Sequence, residues 1–353
     1  MTRYIVRRFL WMLLVLFVVS LITFLLMHAV PGGPFDKEKA VPPEILANLN
    51  AKYHLDEPLP KQYLRYLWDV FIPHISRIPP GTSLTDDHLI NIKIGEKLWL
   101  KWMNFGPSYS SRSRTVNDYF RQQFPISAQL GIMALLVAVL IGIPLGILAA
   151  LKQNTIWDYL GMSIAIFGVS VPVIVLGPIL IWIFGVTLKW LPPTGWGAKP
   201  PFILGFIPSK LGPEFFKYAI MPSIALGLGQ SALIARLTRA SLLQVLREDY
   251  IRTARAKGLP ERAVIFVHAL KNSMIPVVTV LGPMFAALVT GTFVTETIFG
   301  IPGMGRYFVI SITNRDYPLI MGTILLYAVI LVLANLMVDI TYAFLDPRIR
   351  LTD

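Results

Sequence analysis

Cysteine is absent from this 353-residue chain, which excludes disulfides, thiolate nucleophiles and Cys-ligated metals. Charge is sparse: Asp, Glu, Lys and Arg make up 15% of the residues against 55% hydrophobic, and the mean hydropathy is +0.62. There is no Gly-x-x-x-x-Gly-Lys-Ser/Thr loop, so the chain lacks a phosphate cradle for ATP. The five histidines, His28, His54, His74, His88 and His268, are scattered in sequence, form no His-Glu-x-x-His pair and suggest no metal cluster. A Gly-x-Ser-x-Gly elbow is missing, as are paired carboxylates within apolar runs, which argues against hydrolysis. Neither catalytic nor metal residues are expected, and no cofactor in this chain.

What is present is apolar sequence in long blocks, each enough to cross a hydrocarbon core ~30 Å thick as a helix. The pattern predicts an all-α integral membrane protein with six transmembrane helices: Phe9–Val30, Ile126–Leu151, Tyr159–Leu188, Tyr218–Leu237, Ser273–Thr295 and Leu319–Leu345. The first run exceeds a usual signal-peptide core and reads as an uncleaved span. Prolines 144, 172, 178, 222, 276 and 283 are expected to kink or loosen these helices.

The net charge of +12 is distributed as a membrane protein distributes it, not as a nucleic-acid binder does. The long segment 31–125 is nearly balanced, with 12 Lys/Arg against 10 acids. With an inner N-terminus, the inner side holds Arg3, Arg7, Arg8, Lys152, eight basic residues between Arg236 and Lys271, and Arg348 with Arg350, fourteen in all. The short outer loops hold six: Lys189, Lys199, Lys210, Lys217, Arg306 and Arg315. Both termini are therefore expected inside. The chain divides into a tail and first span (1–30), a large external loop domain (31–125), a five-helix core (126–345) and a tail (346–353). In the loop domain, Tyr63, Leu64, Leu67, Trp68 and Phe71 recur at helical spacing, an apolar stripe suited to packing on the membrane domain.

Few ionisable groups enter the spans: Asp339 towards the inner end of the sixth, with Asp158 and Glu296 at span borders. An ion-coupled carrier needs buried carboxylates near midplane. Here the candidates for lining a path are Ser170, Gln230, Ser231, Thr290, Thr292 and Asn335, although for Gln230 and Asn335 interhelical hydrogen bonding is the favoured reading. A weakly polar interior suits a conduit whose energy arrives from elsewhere.

The hairpin 238–272 is where such energy could enter. Ser241–Lys257 has amphipathic helical spacing, with Leu243, Leu246, Tyr250, Ala254 and Lys257 on one face and Arg247, Arg252 and Arg255 elsewhere. Gly258 suits a left-handed C-cap, Pro260 the first turn of a second helix running to Asn272, and Glu261 its positive end. Ala254 and Ala256 are small enough to admit another surface. A basic helix lying on anionic lipid and a docking element for a cytoplasmic partner both fit this pattern.

Specific motifs go further. Tyr250-Ile-Arg-Thr-Ala-Arg-Ala-Lys-Gly-Leu-Pro260, continuing to His268-Ala-Leu-Lys-Asn-Ser-Met-Ile-Pro276, resembles the cytoplasmic coupling signature of ABC-importer permeases of the peptide branch. Leu151–Tyr159, Glu296–Gly305, Asn314–Pro318 and Asp346–Arg350 match in order, and Pro42–Leu55 resembles the B-type subunits of oligopeptide permeases. Two departures stand: Arg252, Thr253 and Ala254 replace the Glu-Ala-Ala of the broad signature, and the segment near 72–103 is longer than the family pattern. The resemblance implies a type I ABC importer permease fold that is not itself an enzyme. It implies a homologous second permease subunit, two cytoplasmic ATPase subunits binding ATP and Mg, and an extracytoplasmic peptide-binding protein. It implies that Arg252, Thr253, Ala254, Arg255, Ala256, Lys257 and Gly258 form the ATPase-coupling helix. Dipeptides or oligopeptides are the implied cargo, with nickel complexes, opines or oligosaccharides as alternatives within the family. An ion-coupled carrier or a membrane enzyme is the alternative from outside it.

Overall fold

Apolar runs become helices here because, without water, a backbone must satisfy its own hydrogen bonds. The computed structural model describes residues 2–35, 42–95 and 97–345; the 346–353 tail, with Arg348 and Arg350, lies outside the described residues. Among the described residues four helices are long and apolar enough to cross a membrane: α1 (Thr2–Ala29), α5 (Phe124–Leu151), α8 (Pro213–Val245) and α15 (Tyr317–Leu345). Two bent helix pairs raise the number to as many as six.

The bends fall where proline chemistry puts them. The expected third span is split into α6 (Ile156–Ser170) and a helix from Val173 to Thr187, α7 (Val173–Leu180) with a π-helical end, at an angle of 99°. Pro172 forces extended backbone on Val171 (φ −97°, ψ 109°) and then caps α7. The expected fifth span also differs. Glu261–Ser273 comprises α10 (Glu261–Ala263), a π-helical turn and α11 (Leu270–Ser273), and it meets α12 (Ile275–Val289) at 50°. α12 stops at Val289, because Gly291 takes a φ of +117° before α13 (Phe293–Ile298) begins. Pro144, Pro178, Pro222 and Pro283 stay inside continuous helices.

The chain forms two compact units. The first comprises residues up to Met12, Pro125–Gly303 and the chain from Val329. Its centre is a seam of small residues between α5 and α8. A Cβ on Gly227 would stand 2.6 Å from Ala134 O, on Gly142 2.8 Å from Ser231 O, and on Gly146 2.6 Å from Ala235 O. Close backbone approach replaces the hydrophobic effect, which lipid does not provide, as the source of helix contact. Contact positions ascend together along both helices, so α5 and α8 run parallel. Arg239 of α8 clasps Asp158 of α6 through Nε at 2.7 Å and Nη2 at 2.6 Å. Asp339 of α15 is ion-paired with Arg8 of α1.

The second unit comprises Leu13–Phe124 and Met304–Ala328. It departs from an all-α reading. After α2 (Pro43–Lys52) and α3 (Leu59–Phe71) come strands β1 (His74–Ser76), β2 (Ile90–Lys93) and β3 (Trp99–Trp102), forming an antiparallel sheet in the order β1-β3-β2. Leu100 pairs with both Ile75 and Ile92, and the strands are too short and polar for the hydropathy pattern to reveal. α4 (Val116–Gln122) follows, capped by a reciprocal Thr115–Asp118 box. Asp316 is fully buried at the start of α15, accepting from the N–H groups of Tyr109 and Ser110 at 3.1 Å and from Ser110 Oγ at 2.7 Å.

Candidate coupling hairpin

The expected helix from Ser241 to Lys257 is two helices. α8 ends at Val245, Leu246–Glu248 turn, and α9 runs from Asp249 to Ala256. Glu248 leaves helical geometry (φ −69°, ψ 148°), which redirects α9 away from the axis of α8. The buried face therefore departs from the expected one at Tyr250 and Lys257, while Leu243, Leu246 and Ala254 keep to it. Leu242, Ile251 and Ala254 pack with Val264, Ala269 and, from α5, Ala150, whereas Tyr250 is exposed. Ala254 thus faces inward, and only Ala256 of the two small residues is open to another surface.

The turn closes as its sequence predicts. Lys257 caps α9, Gly258 has a φ of +74°, its N–H donates to Arg255 O at 2.9 Å, and the N–H of Leu259 reaches Ala254 O at 3.4 Å. This is a Schellman arrangement, satisfying carbonyls that the helix end leaves unpaired. Pro260 is the residue before α10 and not within its first turn, so Glu261 opens that helix. Arg255 Nη2 meets Glu261 Oε1 at 2.6 Å, and Asn272 Nδ2 donates to Tyr250 Oη at 2.8 Å. The hydrogen-bonded carboxylate of Glu261 holds the Arg255 guanidinium above its ordinary pKa. Arg252, Thr253, Arg255, Ala256, Lys257 and Gly258 face outward together on a support with its own small core.

The expected path residues occupy separate places. Ser170 is exposed at the end of α6 and bonds back to Ile166 O at 2.9 Å. Ser231 is fully buried and bonds to Leu228 O at 2.8 Å, so its hydroxyl has no open face in this chain. Gln230 and Asn335 are half-buried with no side-chain hydrogen bond to a described residue. Asn335 lies against Gly282, whose added Cβ would be 3.1 Å from its Oδ1. Thr290 and Thr292 flank the break at Gly291; the Thr292 N–H donates to Glu296 Oε1 at 3.2 Å.

Glu296, placed by sequence at a span border, is buried and accepts a bond from Ser127 Oγ at 2.6 Å. Sequence distance hid that pair, 169 residues apart, as it hid Asp158 and Arg239, 81 apart. The histidines are not all scattered in space either. His74, Asp86 and His88 bring their ligand-type atoms within 4.8 Å of one another in the outer unit. Fully buried Lys101 is bonded to the Asp86 carboxylate and neutralises it, so the one carboxylate of the trio is committed to an ion pair.

Residues 142–351 match the family described as "Binding-protein-dependent transport system inner membrane component", and residues 1–79 match its N-terminal companion. The chain belongs to this family of membrane transport permeases. The oligopeptide transport system permease protein OppB of Salmonella typhimurium is 41% identical, covering 99% of this chain and all of that protein. The dipeptide transport system permease protein DppB of Bacillus subtilis is also 41% identical, covering 99% of each. A solved structure of the MetNI methionine ABC transporter aligns with 64% of this chain and 94% of its own at 16% identity, with a TM-score of 0.46.

Proposed function

We propose that this chain is a permease subunit of an ATP-driven importer and forms half of a translocation path for oligopeptides or dipeptides. The full-length identity to an oligopeptide and a dipeptide permease carries this reading. A second, homologous permease completes the path, two ATPase subunits bind ATP and Mg, and an extracytoplasmic binding protein delivers the peptide. Six crossings with both termini inside fit the parallel course of α5 and α8, which requires the bent α6–α7 pair to cross once between them. The hairpin's outward face, Arg252 to Gly258 without Ala254, docks into an ATPase cleft. Ala254 contributes by locking the helix to its support. Closure of the ATPase pair moves the hairpin, and the spans switch between two packings that open the path to alternate sides. The small-residue seam of α5 and α8 moves as a unit, while the breaks at Pro172 and Gly291 are the places where helix direction changes. A weakly polar interior suits peptides, whose shared backbone demands little side-chain selection.

Affinity capture of the tagged chain from its native membrane, followed by reconstitution, tests this. Recovery of a second permease and ATPases, with peptide uptake that needs ATP, is the expected result. Uptake by the purified chain alone under an ion gradient would establish a self-powered carrier instead. Uptake of nickel complexes, opines or oligosaccharides in place of peptides would move the cargo within the family.

A further inference from the structure

Residues 31–125 read from sequence as an external loop, yet α3 lies beside the apolar length of α1. The candidate span Arg7–Ala29 has 23 residues, which is ~35 Å of helix at ~1.5 Å per residue. A hydrocarbon core ~30 Å thick, set anywhere on that stretch, encloses Phe17, which is ~15 Å along the axis from Arg7. α3 packs at this level. Tyr63 Oη shares a hydrogen bond with Ser20 Oγ at 2.8 Å, and the Tyr63 ring lies 6.1 Å from that of Phe17 and 5.2 Å from that of Phe24.

The two faces of α3 differ accordingly. Gln62, Arg65 and Asp69 line a cavity of ≈ 280 Å³ on the protein side, and Arg65 Nη2 there meets Glu57 Oε1 at 3.0 Å. On the other side Leu64 and Trp68 are 65% and 61% exposed. With Leu13 and Phe17 of α1 they bound a cleft of ≈ 340 Å³ whose lining side chains are all apolar. That cleft is continuous with the exposed apolar surface of α1, which a bilayer must cover. At 13 residues α3 is too short to cross; its outer face is apolar at Leu64 and Trp68, while Lys61 in its first turn is also exposed and pairs with Glu57 Oε1 at 3.1 Å, the pattern of an amphipathic helix lying within a leaflet with a cation reaching outward from one end.

We infer that α3 is embedded in the bilayer beside α1, with lipid acyl chains covering Leu64 and Trp68 and occupying the apolar cleft. The loop between the first two spans is therefore re-entrant for part of its length. This inference rests only on α1 spanning the membrane, and not on the cargo.

Because the chain has no cysteine, Leu64→Cys or Trp68→Cys introduces its sole thiol. Each variant, spin-labelled and reconstituted in liposomes with cysteine-free versions of the subunits it copurifies with, is read by collision with oxygen and with a water-soluble nickel chelate. Ile22→Cys on the exposed face of α1 is the lipid reference and Lys93→Cys at the exposed end of β2 the water reference. Both sites on α3 are exposed, so an unchanged thermal midpoint verifies the fold. The expected result is an oxygen-to-nickel collision ratio shifted to the Ile22 value. A ratio at the Lys93 value, meaning water, overturns the inference. So does low collision with both reagents, meaning protein cover. Neither outcome touches peptide uptake, so this inference and the proposed function fail separately.

Discussion

Replacing Gly258 tests the coupling hairpin at the point where its geometry is most demanding. The residue's φ of +74° is left-handed, and a Cβ built there meets nothing within 4 Å. Any penalty is therefore backbone strain and not collision. An L-residue in this region costs ~1–2 kcal/mol, more when β-branched and less for Asn. A penalty of that size shifts a local equilibrium by ~5–30-fold. The hairpin cannot relax freely, since Arg255–Glu261 and Tyr250–Asn272 tie its two arms. The strain therefore falls on the Schellman turn and tilts α9 on its support. Gly258→Asn, Gly258→Ala and Gly258→Val should be compared in proteoliposomes by measuring peptide uptake and ATP hydrolysis in the same sample. Uptake per ATP should stay near wild type for Asn, fall for Ala and fall furthest for Val, with membrane insertion unchanged in all three. Full coupling in the Val variant would refute the reasoning. So would a loss ordered by side-chain volume, with Asn worse than Ala, because that order signals a steric contact and not backbone strain.

Asp158→Asn leaves the half-buried guanidinium of Arg239 without its charge partner and should lower stability by ~2 kcal/mol, read as a thermal midpoint in detergent; an unchanged midpoint would show the clasp contributes nothing. Gly131→Ala places a Cβ 2.4 Å from Leu288 O and should cost ~1–3 kcal/mol by forcing α5 and α12 apart. Gly161→Ala, whose nearest neighbour is 3.6 Å away, should instead be neutral or stabilising by up to ~1 kcal/mol, and equal effects at the two sites would contradict the argument from close backbone approach. Asp316→Ala orphans the N–H groups of Tyr109 and Ser110 and should cost ~3 kcal/mol, exposing the 108–115 stretch to limited proteolysis; wild-type resistance would remove Asp316 as the anchor of that loop.

Much of this protein was readable before its structure. Hydropathy located the four helices long enough to span and the apolar parts of the two bent pairs, since a span needs little beyond length and the exclusion of charge. Gly258 and Glu261 were placed at the right turn because caps are local chemistry, decided by a few adjacent residues. Local chemistry also misled. The spacing of Leu243, Leu246, Tyr250 and Ala254 suggests one helix and one face; Leu243, Leu246 and Ala254 do pack in the hairpin core, but the break at Leu246–Glu248 starts a new helix in which Ile251 and not Tyr250 is buried. The short outer strands carried too little periodicity to be recognised against their polar neighbours.

The sequence by itself determined that this chain lives in a membrane, where its charges gather, and which transport family it joins, because those properties sum over residues or reside in contiguous motifs. Only the tertiary structure decided that Asp158 faces Arg239, that Glu296 is held by Ser127, that Ala254 turns inward and that α3 lies against α1. Each of these depends on residues brought together across long stretches of chain or on a helix rotated by a fraction of a turn, and neither separation in space nor rotation about an axis is written in local spacing.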